Sequence, residues 1–104
     1  MKDRIEKLKE FLQDNPGDSF LQHALALEYV KLGNDGEARQ IFQNILANEE
    51  GYIGSYYHLA KLLERQGETE TALQFYEKGM KIASEKGDRH SFNELRSAYE
   101  DLQF

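Results

Sequence analysis

The residues of this chain with most to offer chemically are three histidines and a few close-set carboxylates. His23 and His58 fall on segments of helical periodicity. Two imidazoles facing a common space can hold a transition metal or relay a proton. Such a site needs a third ligand or an orienting carboxylate, and neither is spaced to complete one. His90 stands in Asp88-Arg89-His90, which reads as a solvated, charged loop. Glu49-Glu50 and the pair Glu68/Glu70 are clusters of the kind that share acid–base work in a dry, concave site. They fall at helix ends and first turns, where negative charge is favoured by the helix dipole or merely solvated. Asn34-Asp35-Gly36-Glu37 has the chemistry of a turn and cap, not of an ion loop. No phosphate-cradling glycine loop, nucleophile elbow or zinc signature is present, and without cysteine neither thiolate chemistry nor a disulfide is available. The expectation is a chain that is not an enzyme and holds no cofactor and no metal.

The elements that carry these residues are helices. Proline occurs once, at Pro16, so long helices are permitted. With 104 residues the chain has room for one domain with a modest core. Thirteen basic residues stand against 19 acidic, for a net charge of −6. The one local basic excess, Lys7 and Lys9, is flanked by Glu6 and Glu10. Phosphate contacts supply most of the affinity for nucleic acid, so neither nucleic acid nor an anionic membrane surface is an expected partner. No apolar run approaches the roughly 20 residues of a membrane helix, and the N-terminus lacks a signal-peptide core. The composition reads as that of a cytoplasmic protein.

A repeat organises the chain. Gly33 and Gly67 stand 34 positions apart, and the same offset pairs Leu25 with Leu59, Ala26 with Ala60, Ala38 with Ala72 and Gln40 with Gln74. Like-for-like pairs follow at Tyr29/Leu63, Lys31/Arg65, Phe42/Tyr76 and Leu46/Met80. Each unit reads as two helices. Leu21, Leu25, Tyr29 and Leu32 form one helical stripe, Gly33 ends that helix, and Asp35 is positioned to cap the next. Ala38, Ile41, Phe42, Ile45 and Leu46 then line the second helix. In the second unit Tyr56, Leu59, Ala60 and Leu63 precede Gly67, Thr69 takes the capping place, and Ala72, Phe75, Tyr76 and Met80 follow. Small residues at 26, 38, 60 and 72 allow paired helices to approach closely, with Phe42 and Tyr76 filling the space one turn later.

Stepping back by 34 from Phe42, Leu46 and Glu50 lands on Leu8, Leu12 and Pro16. Residues 3–14 therefore read as the second helix of an incomplete leading repeat, with Ile5, Leu8, Phe11 and Leu12 as its buried stripe. At the other end, Ser91-Phe92-Asn93-Glu94 is a capping-box pattern that opens a helix faced by Phe92, Leu95, Tyr99 and Leu102.

This pattern resembles the tetratricopeptide repeat: an aromatic, Leu with a small residue, Tyr, Gly, Ala, an aromatic, then Pro at the junction. The second unit supplies Tyr56, Leu59-Ala60, Leu63, Gly67, Ala72 and Tyr76. The first supplies Leu25-Ala26, Tyr29, Gly33, Ala38 and Phe42, with Gln22 in the aromatic place, while Glu50 and Ser84 stand where the family often has Pro. The helix near Ser91 resembles a first repeat helix shifted by about two residues, with Arg96 in place of the small residue. The resemblance implies an all-α fold of antiparallel helix hairpins, a tetratricopeptide-like α–α superhelix of about six helices. It implies one domain over 1–104: a leading helix at 3–14, repeats at 19–52 and 53–86, and a capping helix at 88–104.

It also implies a function, a scaffold that binds a protein or peptide segment in a concave groove. Carried over position by position, the groove takes Phe20, His23, Leu27, Val30 and Lys31 from the first repeat. The second gives Tyr57, His58, Lys61, Glu64 and Arg65, with Asn93 and Ser97 from the last helix. Leu27 and Val30 lie off their helix's main stripe, so they are either groove residues or covered by the leading helix. Family members that grip chaperone C-terminal carboxylates use Lys and Asn where this chain has His23 and Leu27, so that specificity does not carry over. Phe20, Leu27, Val30 and Tyr57 suit an apolar or amphipathic segment. The alternative is self-association, a homodimer made through the same patch.

Overall fold

The computed structural model describes residues 2–104. The described residues form six α-helices and no strands: α1 (Arg4–Asp14), α2 (Ser19–Lys31), α3 (Asp35–Asn48), α4 (Ile53–Arg65), α5 (Thr69–Lys86) and α6 (Arg89–Gln103). They gather into two compact units, one running up to Glu49 and the other covering Glu50–Phe104.

In the first unit α2 packs against both α1 and α3. Leu8, Leu25, Ala26, Ala38, Phe42, Ile45 and Leu46 are buried. Arg4 reaches Glu28 at 3.4 Å and the Lys9 ammonium lies 5.9 Å from the Tyr29 ring centre, so α1 runs along the Glu28–Tyr29 side of α2. In the second unit α5 packs against both α4 and α6. Tyr56, Leu59, Ala60, Leu62, Leu63, Ala72, Tyr76 and Leu95 fill its core. Gly79 of α5 is what lets the helices close: a methyl group there would lie 2.8 Å from Tyr56 Cβ and 3.0 Å from Leu95 Cδ1.

The 34-residue offset is reproduced in the backbone. Gly33 and Gly67 both have φ of +78°, the left-handed conformation that side chains resist. Asn34 N–H donates to the Tyr29 carbonyl at 2.9 Å, and Glu68 N–H donates to that of Leu63 at 2.9 Å, the same helix-ending turn in both hairpins. α1 ends as α3 does. Asn15 N–H donates to the Phe11 carbonyl and Glu49 N–H to the Ile45 carbonyl, from similar backbone angles. The same turn thus closes α1 and, 34 residues later, α3. The α6 helix begins two residues later than a strict offset would place it, after an α5 of 18 residues where α3 has 14.

Several sequence expectations shift. Asp35 and Thr69 are the first helical residues, not caps; Asn34 and Glu68 hold the cap positions and neither gives a side-chain capping bond. The helix expected from Ser91 starts at Arg89. Asp88 caps it, accepting from Ser91 N–H at 3.1 Å and from the Ser91 hydroxyl at 2.8 Å, so Ser91 serves the cap instead of being it. Phe11, placed in the buried stripe of α1, and Leu32, placed on the helical stripe of α2, are 58% and 64% exposed. One neighbouring helix covers only part of α1's circumference, and Leu32 lies beyond the last turn of α2 as its C-cap.

Candidate partner-binding surface

The residues carried over by resemblance sit on α2 and α4, the leading helices of the two hairpins, with Asn93 and Ser97 on α6. On α2, Phe20 follows the Asp18 cap, whose carboxylate accepts from Leu21 N–H at 3.0 Å. Phe20 is 70% exposed, a large apolar ring in water at a helix start. His23 is half-buried, with its ring edge-on to the buried Phe42 at 5.5 Å. Leu27 and Val30 are half-buried. Lys31 is exposed and pairs with Glu28 at 3.1 Å.

On α4 the side chains form a connected row. Tyr57 and His58 are half-buried with rings 5.4 Å apart and nearly perpendicular. Lys61, one turn on, holds its ammonium 5.8 Å from the Tyr57 ring centre and reaches Glu64 at 3.8 Å. Glu64 in turn accepts from the Tyr76 hydroxyl, so it anchors α4 to α5 as well as facing Lys61. Burial, then this bond and the Glu64 charge, push the Tyr76 phenol up from its ordinary value. Burial also lowers the His58 imidazole, against the opposing pull of Glu94. Arg65, Asn93 and Ser97 are exposed. No group of three or more His, Cys, Asp or Glu able to hold a metal occurs among the described residues. No helix among them is long and apolar enough to cross a membrane.

Sequence reasoning missed a cleft in the first unit, about 400 Å³, bordered by Leu12, Pro16, Gln22, Leu25, Ile41 and Asn44. Its one signal was Gln22 in an aromatic's place.

Helix hairpins repeated at a fixed period, each bent by the same glycine turn, define a helical-repeat scaffold. The family profile described as tetratricopeptide repeat matches residues 53–86. A tetratricopeptide repeat domain protein from Salinibacter ruber, solved in solution, is 36% identical, with 84% of this chain and 88% of that one covered and a TM-score of 0.80. The chain belongs to the tetratricopeptide-repeat family. A protein from Bordetella parapertussis shares the fold at 24% identity and a TM-score of 0.85, covering 99% of this chain and 90% of that one. So does a domain of yeast Sti1, solved in complex with pHsp70, at 17% identity and a TM-score of 0.88, covering 95% of this chain and 79% of that one. A comparison with curated proteins finds no match. Repeats of this fold commonly mediate protein–protein interaction.

Proposed function

We propose that the chain is a non-catalytic scaffold that binds a protein or peptide segment through its leading repeat helices. On α2 the contacts are Phe20, His23, Leu27, Val30 and Lys31; on α4 they are Tyr57, His58, Lys61, Glu64 and Arg65. The observation that carries this reading is Phe20, an aromatic ring left 70% exposed on a helix whose next turns add the half-buried Leu27 and Val30. Large apolar groups grouped in this way mark interaction sites, and aromatics supply a disproportionate share of interface energy. The Tyr57–Lys61 pair gives α4 a flat ring beside a cation, which suits a segment that is apolar on one side and acidic on the other. The neighbouring domain in yeast Sti1 supports the mode by analogy only, since it too holds a protein ligand.

The test begins with the full-length chain immobilised to recover a partner from the native source, and then uses the purified partner in calorimetry. Phe20→Ala and Tyr57→Ala each weaken binding by about tenfold or more, as expected of truncated aromatic anchors, with helicity unchanged. Phe104→Ala, an exposed ring outside both leading helices, leaves affinity unchanged. Full-strength binding by the Phe20/Tyr57 double variant removes the reading. Exposed Phe20 equally suits a second copy as the partner; light scattering over a concentration series separates that case by a doubled mass that Phe20→Ala abolishes.

A further inference from the structure

Among the differences between the two hairpins, one removes a large buried side chain. In the second unit Tyr56 is 1% exposed, and its hydroxyl donates to the Glu50 carbonyl at 2.7 Å. Its ring centre lies 6.3 Å from that of Phe75, and its Cβ abuts Gly79. Thirty-four positions earlier the corresponding residues are Gln22, Pro16, Ile41 and Ile45. Gln22 reproduces the hydrogen bond, its Nε2 donating to the Pro16 carbonyl at 2.7 Å. It does not reproduce the ring. The buried Ile45 stands where the second unit has Gly79 and takes up part of the interior. The remainder stays open as the cleft of about 400 Å³. Leu12, Leu25 and Ile41 form its apolar border, and the carboxamides of Gln22 and Asn44, joined at 3.3 Å, form its polar side.

We propose that this cleft receives a tyrosine side chain presented by a partner protein. Its volume falls within the range of small-ligand sites, and apolar walls with a few placed polar groups are their usual make-up. Every bordering residue is uncharged, so a phosphate, carboxylate or ammonium finds no counter-charge there. A phenol ring meets the aliphatic side chains of Leu12, Leu25 and Ile41, and its hydroxyl finds acceptors already in place. The Pro16 carbonyl and Gln22 Oε1 each keep a second lone pair beyond the bonds described. A phenylalanine ring leaves those acceptors unused, so tyrosine is preferred. None of the groove residues of α2 borders the cleft, so this site stands or falls separately from the scaffold reading.

The test titrates the full chain with N-acetyltyrosinamide and follows the side-chain amide signals of Gln22 and Asn44 and the Ile41 methyls by NMR. Saturable shifts at these groups, absent with N-acetylleucinamide, are the expected result. Gln22→Tyr fills the cleft and weakens the probe by at least about tenfold. Gln22→Leu keeps the space, removes one of the two acceptors, and narrows the preference for N-acetyltyrosinamide over N-acetylphenylalaninamide. The proposal is overturned if saturable shifts do not occur at these groups, or if folded Gln22→Tyr binds the probe as the parent does. It is also overturned if the same shifts arise from protein concentration alone, since a second copy is then the occupant. Should Gln22→Tyr fail to fold, an undiminished tyrosine preference in Gln22→Leu overturns it.

Discussion

Replacing Gly79 with alanine sets two effects of known size against each other. Alanine in a helix interior is favoured over glycine by about 0.8–1 kcal/mol. The added methyl, however, would sit 2.8 Å from Tyr56 Cβ, 3.1 Å from Tyr56 Cγ and 3.0 Å from Leu95 Cδ1. Two of these atoms are the root of a fully buried side chain and cannot swing aside, so α4 and α5 must part. Overpacking of this kind costs about 1–3 kcal/mol, and three simultaneous contacts place Gly79→Ala in the upper part of that range. The net expectation is a loss of about 1–2 kcal/mol, or roughly 5–15 °C in Tm for a chain of this size. Gly36→Ala is the matched control: Gly36 lies in the first turn of α3, and nothing comes within 4 Å of its added methyl. That variant gains up to about 1 kcal/mol. Urea denaturation followed by circular dichroism reads both. If Gly79→Ala is neutral or stabilising, the close approach of α4 to α5 is refuted.

The remaining expectations concern caps and pH. Asp18→Ala removes the carboxylate that holds Leu21 N–H and costs about 1 kcal/mol in urea melts, whereas Asn34→Ala, whose side chain makes no capping bond, costs less. The Tyr56 phenol is pushed up to about 12 by burial and then by the Glu50 charge. A raised folded-state value keeps stability intact below pH 10 and removes it as pH climbs from 10 through about 12, and Tyr56→Phe flattens that part of the profile measured by thermal melts. His58 has the opposite sign: burial lowers its value below 6.5, so its contribution is present above pH 6.5 and is lost on acidification. NMR titration should place its midpoint below 6.5, and His58→Gln should lessen the loss of stability with acid.

The repeat was legible because it rests on pairs that physics holds at a fixed distance. Gly33 and Gly67 must take a left-handed turn, and Ala26, Ala60, Ala38 and Ala72 must admit a neighbouring helix; all four alanines are fully buried. Caps were less legible. Gly33-Asn34-Asp35 offers two competent cap residues in a row, and Asp88 competes with Ser91; backbone geometry decides, and it leaves no mark on residue type. The stripes of α1 and α2 are buried at Leu8 and Leu25 and exposed at Phe11 and Leu32, because periodicity gives a direction of burial but not the width of the covering helix. Ser55 and Leu62, off the α4 stripe, are also fully buried and escaped notice for the same reason. Of the candidate surface, Phe20 was named by the resemblance and not by any pattern of its own, and its exposure is seen only in the structure. The double duty of Glu64 was not legible either, since its bond to Tyr76 depends on how α5 lies against α4.

The matching ends of α1 and α3 bear on how such a chain can lengthen. Asn15 and Glu49 leave their helices with φ of −135° and −141° and ψ of 63° and 81°. A cassette cut after each of these residues begins and finishes in one backbone state. An extra copy spliced there meets joints it already fits, so growth by whole hairpins needs no new turn to be invented.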